Sequence, residues 1–217
     1  MKLANHKQRG GFSLVELLIA FSVLGLILGS IGMVGIAGRD AYQEGLRSST
    51  LEGRARRALE RIASELTPCI ESTLTPNPGT PLGLGTVQFQ TCLGYAAGAQ
   101  LQSSITCIRL ESDPADPDDG IDNDSDGMVD ERQIVLIRNF GSADQIQTVI
   151  CTNVAEMLEG ETANMLDDNG NGLIDEGGLS IAADGQGTLR IRLTVLGRDA
   201  KNNQVRRTLE TSVHMRN

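Results

Sequence analysis

The stretch Arg9-Gly10-Gly11-Phe12-Ser13-Leu14-Val15-Glu16-Leu17-Leu18-Ile19-Ala20-Phe21 decides how the rest of the chain is read. A short leader carrying Lys2, Lys7 and Arg9 ends in two glycines, and an apolar run follows in which Glu16 is the only charge up to Gly38. The run from Phe12 to Gly38 is longer than the about 20 apolar residues a helix needs to cross a bilayer. Its basic flank predicts that the leader end stays on the cytoplasmic side. A secretory signal carries its cleavage site after the apolar core. Here the glycine pair precedes the core, so a cut at that pair leaves the apolar helix in the mature protein. An acid at hydrocarbon depth is costly and marks a functional residue by default; the plainer alternative is a simple anchor with Glu16 among the lipid headgroups. Cleavage between Gly11 and Phe12 would expose an α-amine on Phe12, and Glu16 lies four residues on, on the same helical face.

A cleavage-type glycine, a Phe directly after it, the run Ser13-Leu14-Val15-Glu16-Leu17-Leu18 and one intramembrane acid together resemble the processing site and N-terminal helix of the type IV pilin and type II secretion pseudopilin family. The resemblance implies cleavage between Gly11 and Phe12 by prepilin peptidase and N-methylation of Phe12. It also implies that Glu16 pairs with the terminal amine of a neighbouring subunit as a filament assembles. Other pilins or pseudopilins, the peptidase and the inner membrane are the implied partners. Many major pilins carry a proline in this helix and this chain has none, which points to a minor pilin or minor pseudopilin. The protein would then be single-pass in the inner membrane, with an exported C-terminal domain that ends in a periplasmic pseudopilus or a cell-surface pilus. A membrane-tethered calcium-binding adhesion module outside any filament is the alternative.

The 217 residues suffice for one moderate domain plus an anchor. A net charge of −9 argues against nucleic acid as a partner. The basic run Arg54-Ala55-Arg56-Arg57 reads as a solvated helix face. Aromatic residues are 3% of the chain and Trp is absent, so an aromatic ligand pocket is not expected. Gly25 and Gly29 stand at the spacing that lets membrane helices approach closely. No helix breaker appears before Pro68. Leu51, Ala55, Leu59, Ile62 and Leu66 form one apolar stripe along Ala41 to Leu66, with Glu52–Arg56 and Arg61–Glu65 as i,i+4 pairs.

Pro76, Pro78, Gly79, Pro81, Gly83 and Gly85 mark a loop. Strands are expected at 86–91, 104–110, 133–140, 145–152, 178–182, 188–196 and 204–215, with a hairpin connection at 199–203. Leu189, Ile191, Leu193 and Val195 should face one way and Arg190, Arg192 and Thr194 the other. The fold class is α+β: a long helix packed on an antiparallel sheet. The divisions are a leader (1–11), a membrane or filament-core helix (12–38), an amphipathic helix (39–67) and a β-rich exported domain (68–217). The runs Arg57–Leu66 and Arg207–Asn217 resemble W-type minor pilins and J-type minor pseudopilins.

Two acidic segments repeat one pattern. Asp122, Asp124, Asp126, Met128, Asp130 and Glu131 fall at the same spacings as Asp167, Asn169, Asn171, Leu173, Asp175 and Glu176. The spacing D-x-[DN]-x-[DN]-G matches the first half of an EF-hand loop, in which alternate oxygens and one backbone carbonyl (here of Met128 or Leu173) surround Ca²⁺. Position twelve is Gln133 or Gly178, so the usual bidentate Glu is missing. Asp130 and Glu131, or Asp175 and Glu176, are expected to close the shell instead, as in the short Asp-rich calcium loops of extracellular proteins. Metal-free solvated turns are the competing reading, with more weight at the second loop, where amides replace two acids.

Cys69, Cys92, Cys107 and Cys151 form an even set in the exported part, where disulfides persist, and allow three pairings; Cys69–Cys92 with Cys107–Cys151 is the favoured one. Four buried free thiols are the other reading. No spacing suggests zinc. The histidines, His6 and His214, are not placed with any nucleophile, so no catalytic set is expected.

Overall fold

The computed structural model describes residues 13–77, 83–184, 187–199 and 202–215. Gly11 and Phe12, the expected processing site, lie outside the described residues. The chain divides into one unit up to Gly45 and a second from Leu46. Helix α1 spans Leu14–Leu66. It ends at Leu66: Thr67 still donates its N–H to the Ala63 carbonyl at 2.9 Å, and Pro68, which follows, disfavours a further helical residue before it. Beyond Leu46, α1 buries Leu51, Ala55, Ala58, Leu59, Ile62 and Leu66, the expected stripe with Ala58 added. Arg61 pairs with Glu65 at 2.8 Å as expected. Glu52 does not meet Arg56; it reaches Arg207 on the last strand at 4.0 Å.

Among the described residues nine strands follow: β1 (Thr86–Phe89), β2 (Cys92–Ala96), β3 (Ala99–Gln102), β4 (Thr106–Ser112), β5 (Arg132–Arg138), β6 (Ile146–Val154), β7 (Leu179–Ala183), β8 (Thr188–Arg198) and β9 (Gln204–His214). Seven make one antiparallel sheet in which β1, β4, β5 and β6 are successive neighbours. β7 pairs with β8 along Leu179–Ala183, β6 touches β8 at Val154–Val195, and β9 covers the whole of β8. The α+β class and all seven expected strands are present. The period-two pattern of β8 holds, with Leu189, Ile191, Leu193 and Val195 fully buried. They join the α1 stripe in one core with Phe89, Ile108, Ile134 and Leu136. At Ile62, wholly buried in that core, truncation to Ala would cost about 3 kcal/mol. β5 is buried on both faces, since Val135 and Ile137 form a second cluster with Cys107.

The β2–β3 hairpin was not expected. Its two-residue turn is Ala97-Gly98, with φ of 51° and 80°, the positive pair that suits a tight hairpin.

The disulfide expectation is corrected: all four cysteines are free thiols. Cys107 faces the cluster of Val135 and Ile137, whereas Cys151 lies in the main core, so β5 separates them by face. Cys69 stands opposite Thr91, one residue out of step with Cys92, and strand alternation sends the two side chains to opposite sides.

Candidate functional site

At the N-terminal end, Ser13 precedes the first helical residue. Its Oγ accepts the Val15 N–H at 3.2 Å, and Glu16 Oε2 accepts the Ser13 N–H at 3.1 Å. Ser13 and Glu16 thus form a capping box, each satisfying a backbone donor at the helix start. The Ser-x-x-Glu spacing carries that signal, which the expectation of an intramembrane acid at Glu16 masks. α1 contains an 18-residue window of mean hydropathy 2.5 with none of it buried, long and apolar enough to cross a membrane. A Cβ at Gly25, Gly29, Gly32, Gly35 or Gly38 would meet nothing within 4 Å, so no contact among the described residues requires glycine there.

The acidic segments occupy the β4–β5 and β6–β7 connections. They share one backbone design. Asp113 N–H donates to the Glu131 carbonyl and Asp116 N–H to the Asp113 carbonyl; Leu158 donates to Glu176 and Glu161 to Leu158 in the same way. Asp126 N–H and Met128 N–H donate to Oδ1 of Asp124 and Asp126, and Asn171 and Leu173 repeat this onto Asn169 and Asn171. Positive φ recurs at matching positions: Ser125 and Gly170, Gly127 and Gly172, Asp130 and Asp175.

Asp130 and Asp175 sit where shell ligands were expected, but their carboxylates turn back on the loop. Asp130 accepts the N–H groups of Asp119 and Gly120, and Asp175 those of Asn164 and Met165. Asp116, almost fully buried, was not expected to matter individually. Its two oxygens take the N–H groups of Asn123 and Asp130, both at 2.7 Å, and so pin both ends of the first loop. These backbone bonds, that from Asn123 first, hold the Asp116 carboxyl below the usual range.

In the first loop, carboxylate oxygens of Asp122, Asp124 and Asp126 all lie within 4.8 Å of one another. Asp122 Oδ1 and Glu131 Oε2 are buried without a hydrogen-bond donor, and Glu131 is only 2% exposed. Burial pushes the Glu131 carboxyl up to about 7, reinforced by the neighbouring Asp116 and Asp126. Met128 anchors the loop, its side chain packed with Ala155 and Leu196. Asp124 and Asp126 keep donors, a backbone N–H on Oδ1 of each and Asn153 Nδ2 on Oδ2 of Asp126, so the oxygens left for a divalent cation such as Ca²⁺ to satisfy are those of Asp122 and Glu131.

The second loop has the same backbone and different polar partners. Asp167 Oδ1 accepts the N–H groups of Gly170 and Asn171, and its Oδ2 that of Gly172. Glu176 is fully buried and accepts from Ser180 Oγ at 2.5 Å and from Asn169 Nδ2 at 3.3 Å. It also accepts from Asn171 Nδ2 and pairs with Arg192 at 3.3 Å. The Leu173 residue is half-buried at the same place in its loop as Met128.

Residues 6–37 match the prokaryotic N-terminal methylation motif. The N-terminal segment is therefore of the type IV pilin and pseudopilin kind, a precursor segment that prepilin peptidase processes. No curated protein and no solved structure matches the chain.

Proposed function

We propose that the chain is a minor pilin or minor pseudopilin, a structural subunit of a type IV pilus or type II secretion pseudopilus, and not an enzyme. The observation that carries this reading is the methylation motif laid directly over a membrane-length apolar helix. Gly25, Gly29, Gly32, Gly35 and Gly38 have no neighbour within 4 Å of a Cβ among the described residues, which suits a surface that packs on neighbouring subunits. The amphipathic run Arg57–Leu66 and the long closing strand β9 favour a subunit of the W-type pilin or J-type pseudopilin sort. Cleavage between Gly11 and Phe12 leaves a methylated Phe12, whose amine pairs with Glu16 of a neighbour. The β-domain is exported. N-terminal sequencing and intact mass of the native protein test this: a mature chain starting at methylated Phe12 is expected, and one starting at Met1 or beyond the apolar helix overturns it. Substituting Gly11 with a bulky residue should leave the leader attached.

We also propose that the exported domain uses Ca²⁺ structurally at the first loop, through Asp122, Asp124, Asp126, Glu131 and the Met128 carbonyl. The two donor-less buried oxygens support the reading, because a buried charge without a partner is strongly destabilising unless a cation or proton meets it. Binding to the folded state alone raises stability by mass action. The full-length chain in detergent should melt at a higher temperature in millimolar Ca²⁺ than in chelator. Mg²⁺ should substitute poorly, because it needs a tighter octahedral shell. Equal melting with and without Ca²⁺, and no metal in the purified chain, would leave a loop that closes on protons alone.

A further inference from the structure

The two loops share a backbone, so differences between them lie in side chains. Three observations separate them. The first is convergence: among the described residues, the acids of the first loop bring three carboxylates within 4.8 Å of one another, and those of the second loop do not. The second is the leading acid. Asp122 keeps a buried oxygen without a donor, whereas Asp167 spends both oxygens on three backbone N–H groups. The third is the closing Glu. Glu131 Oε2 lacks any donor, whereas both oxygens of Glu176 are engaged.

The amides explain how. Asn169 and Asn171 each give Oδ1 to a backbone N–H further along the loop, as Asp124 and Asp126 do in the first. In the second loop the other atom of each side chain then meets the acid that closes the loop, whereas in the first the second oxygen of Asp126 accepts from Asn153 Nδ2. In an Asp that atom is an oxygen, which adds negative charge; in an Asn it is an NH₂, which donates. Both amides donate to Glu176 Oε2. The remaining formal charge meets Arg192 of β8, whose Nη1 lies 3.3 Å from Glu176 Oε1 and 3.4 Å from Oε2. Arg192 is held in turn by Glu210 of β9 at 2.8 Å.

We infer that Arg192, with the amides of Asn169 and Asn171, takes the place of the cation in the second loop, so that the domain holds one divalent-cation site and not two. The fixed guanidinium is a permanent counter-charge that chelation cannot remove. One loop oxygen, Glu161 Oε2, stays without a donor. It belongs to a side chain lining a cavity of about 440 Å³ together with Thr162, Gln204 and Arg206, and no pair of further acids comes within ion-sharing range of it among the described residues. The inference rests on the calcium reading for the first loop and is independent of it for the second.

Metal content after dialysis against Ca²⁺ and thermal melting of the full-length chain in detergent test both parts. The wild type should hold one Ca²⁺ per chain, Asp124→Ala none, and Asn169→Ala one. In chelator, Arg192→Met should lower the melting temperature, with Arg192→Lys in between, while Asp124→Ala should leave it unchanged or raise it. The Ca²⁺-induced shift should survive in Arg192→Met and vanish in Asp124→Ala. Two Ca²⁺ in the wild type, or loss of bound Ca²⁺ in Asn169→Ala, would overturn the inference. So would an Arg192→Met chain that melts as the wild type does in chelator. No Ca²⁺ in the wild type would sink the calcium reading of the first loop alone, with the Arg192 comparison in chelator still deciding the second.

Discussion

Asp130 and Asp175 occupy equivalent places in the two acidic loops and make the same contacts: each bends its carboxylate onto two consecutive backbone N–H groups upstream, at 2.9 to 3.1 Å. Each does so with a positive φ, 57° at Asp130 and 48° at Asp175, a conformation that Asp tolerates better than most side chains. The acids are therefore clasps that fold each loop back on its own start, distinct from the residues that gather around a charge.

Removing a clasp should cost stability whatever the metal. Asp175→Ala deprives the N–H groups of Asn164 and Met165 of their acceptor and is expected to destabilise by about 2 kcal/mol. Asp175→Asn keeps one acceptor oxygen and should cost less. Urea unfolding of the full-length chain in detergent reads both, and Ca²⁺ should not restore the loss. An unchanged midpoint for Asp175→Ala would remove the clasp from the account.

Gly178, just after the second loop, shows a different constraint. Its φ is ordinary, but a Cβ there would lie 1.8 Å from the Ala155 carbonyl oxygen and 2.8 Å from the carbonyl carbon. Backbone cannot swing aside as a side chain can, so Gly178→Ala should destabilise by about 3 kcal/mol. Gly45→Ala is the control: it sits in α1 with nothing within 4 Å, and should be neutral or stabilising by up to about 1 kcal/mol. Thermal unfolding that ranks the two alike would contradict the close approach.

The sheet was legible where alternation runs long. β8 and β9 each have eleven residues, and a period of two over that length leaves little choice of face. The β2–β3 hairpin was not, because Gly94, Ala96, Ala97, Gly98 and Ala99 offer almost no apolar contrast and a bulge interrupts the ladder at Cys92/Gly94. In the loops, spacing revealed the repeat but not which oxygens turn to the backbone; Asp124 and Asp130 look alike in the sequence and act differently. Asp116 and Glu161 lie outside the motif, and Arg192 reaches Glu176 only because β8 runs beside β7. Contacts of that kind depend on tertiary pairing, which no local pattern encodes.

The cysteines should differ sharply in reactivity. Burial pushes the thiol of Cys69 up to about 12 and that of Cys151 up to about 11, and raises Cys107 as well. The thiolate is the nucleophile, so these three should resist alkylation in the folded chain. Cys92 is half-buried, on the outer hairpin, and should react first. Brief iodoacetamide treatment at about pH 8 followed by peptide mass spectrometry should find label at Cys92 alone, and at all four positions only after unfolding. Label at Cys69 or Cys151 in the native chain would mean that the core opens on that timescale.

The capping contact of Glu16 and its proposed part in assembly can be separated by a pair of substitutions. Its carboxylate accepts the Ser13 N–H and completes the capping box, and its charge is the feature proposed to meet a neighbour's amine. Glu16→Gln keeps an acceptor at the same reach, since Gln serves at this position of a capping box as Glu does, but removes the charge. Glu16→Ala removes both, at a helix-capping cost of about 1 kcal/mol. Neither should impair membrane insertion, because each takes an acid out of the hydrocarbon. If the charge matters for assembly, the two variants should be incorporated into filaments equally poorly while the precursor accumulates in the membrane. If capping is what matters, Glu16→Gln should assemble as the wild type does and only Glu16→Ala should fail. Quantifying each variant in sheared filament and membrane fractions decides between them, and wild-type incorporation of both would leave Glu16 without a part in assembly.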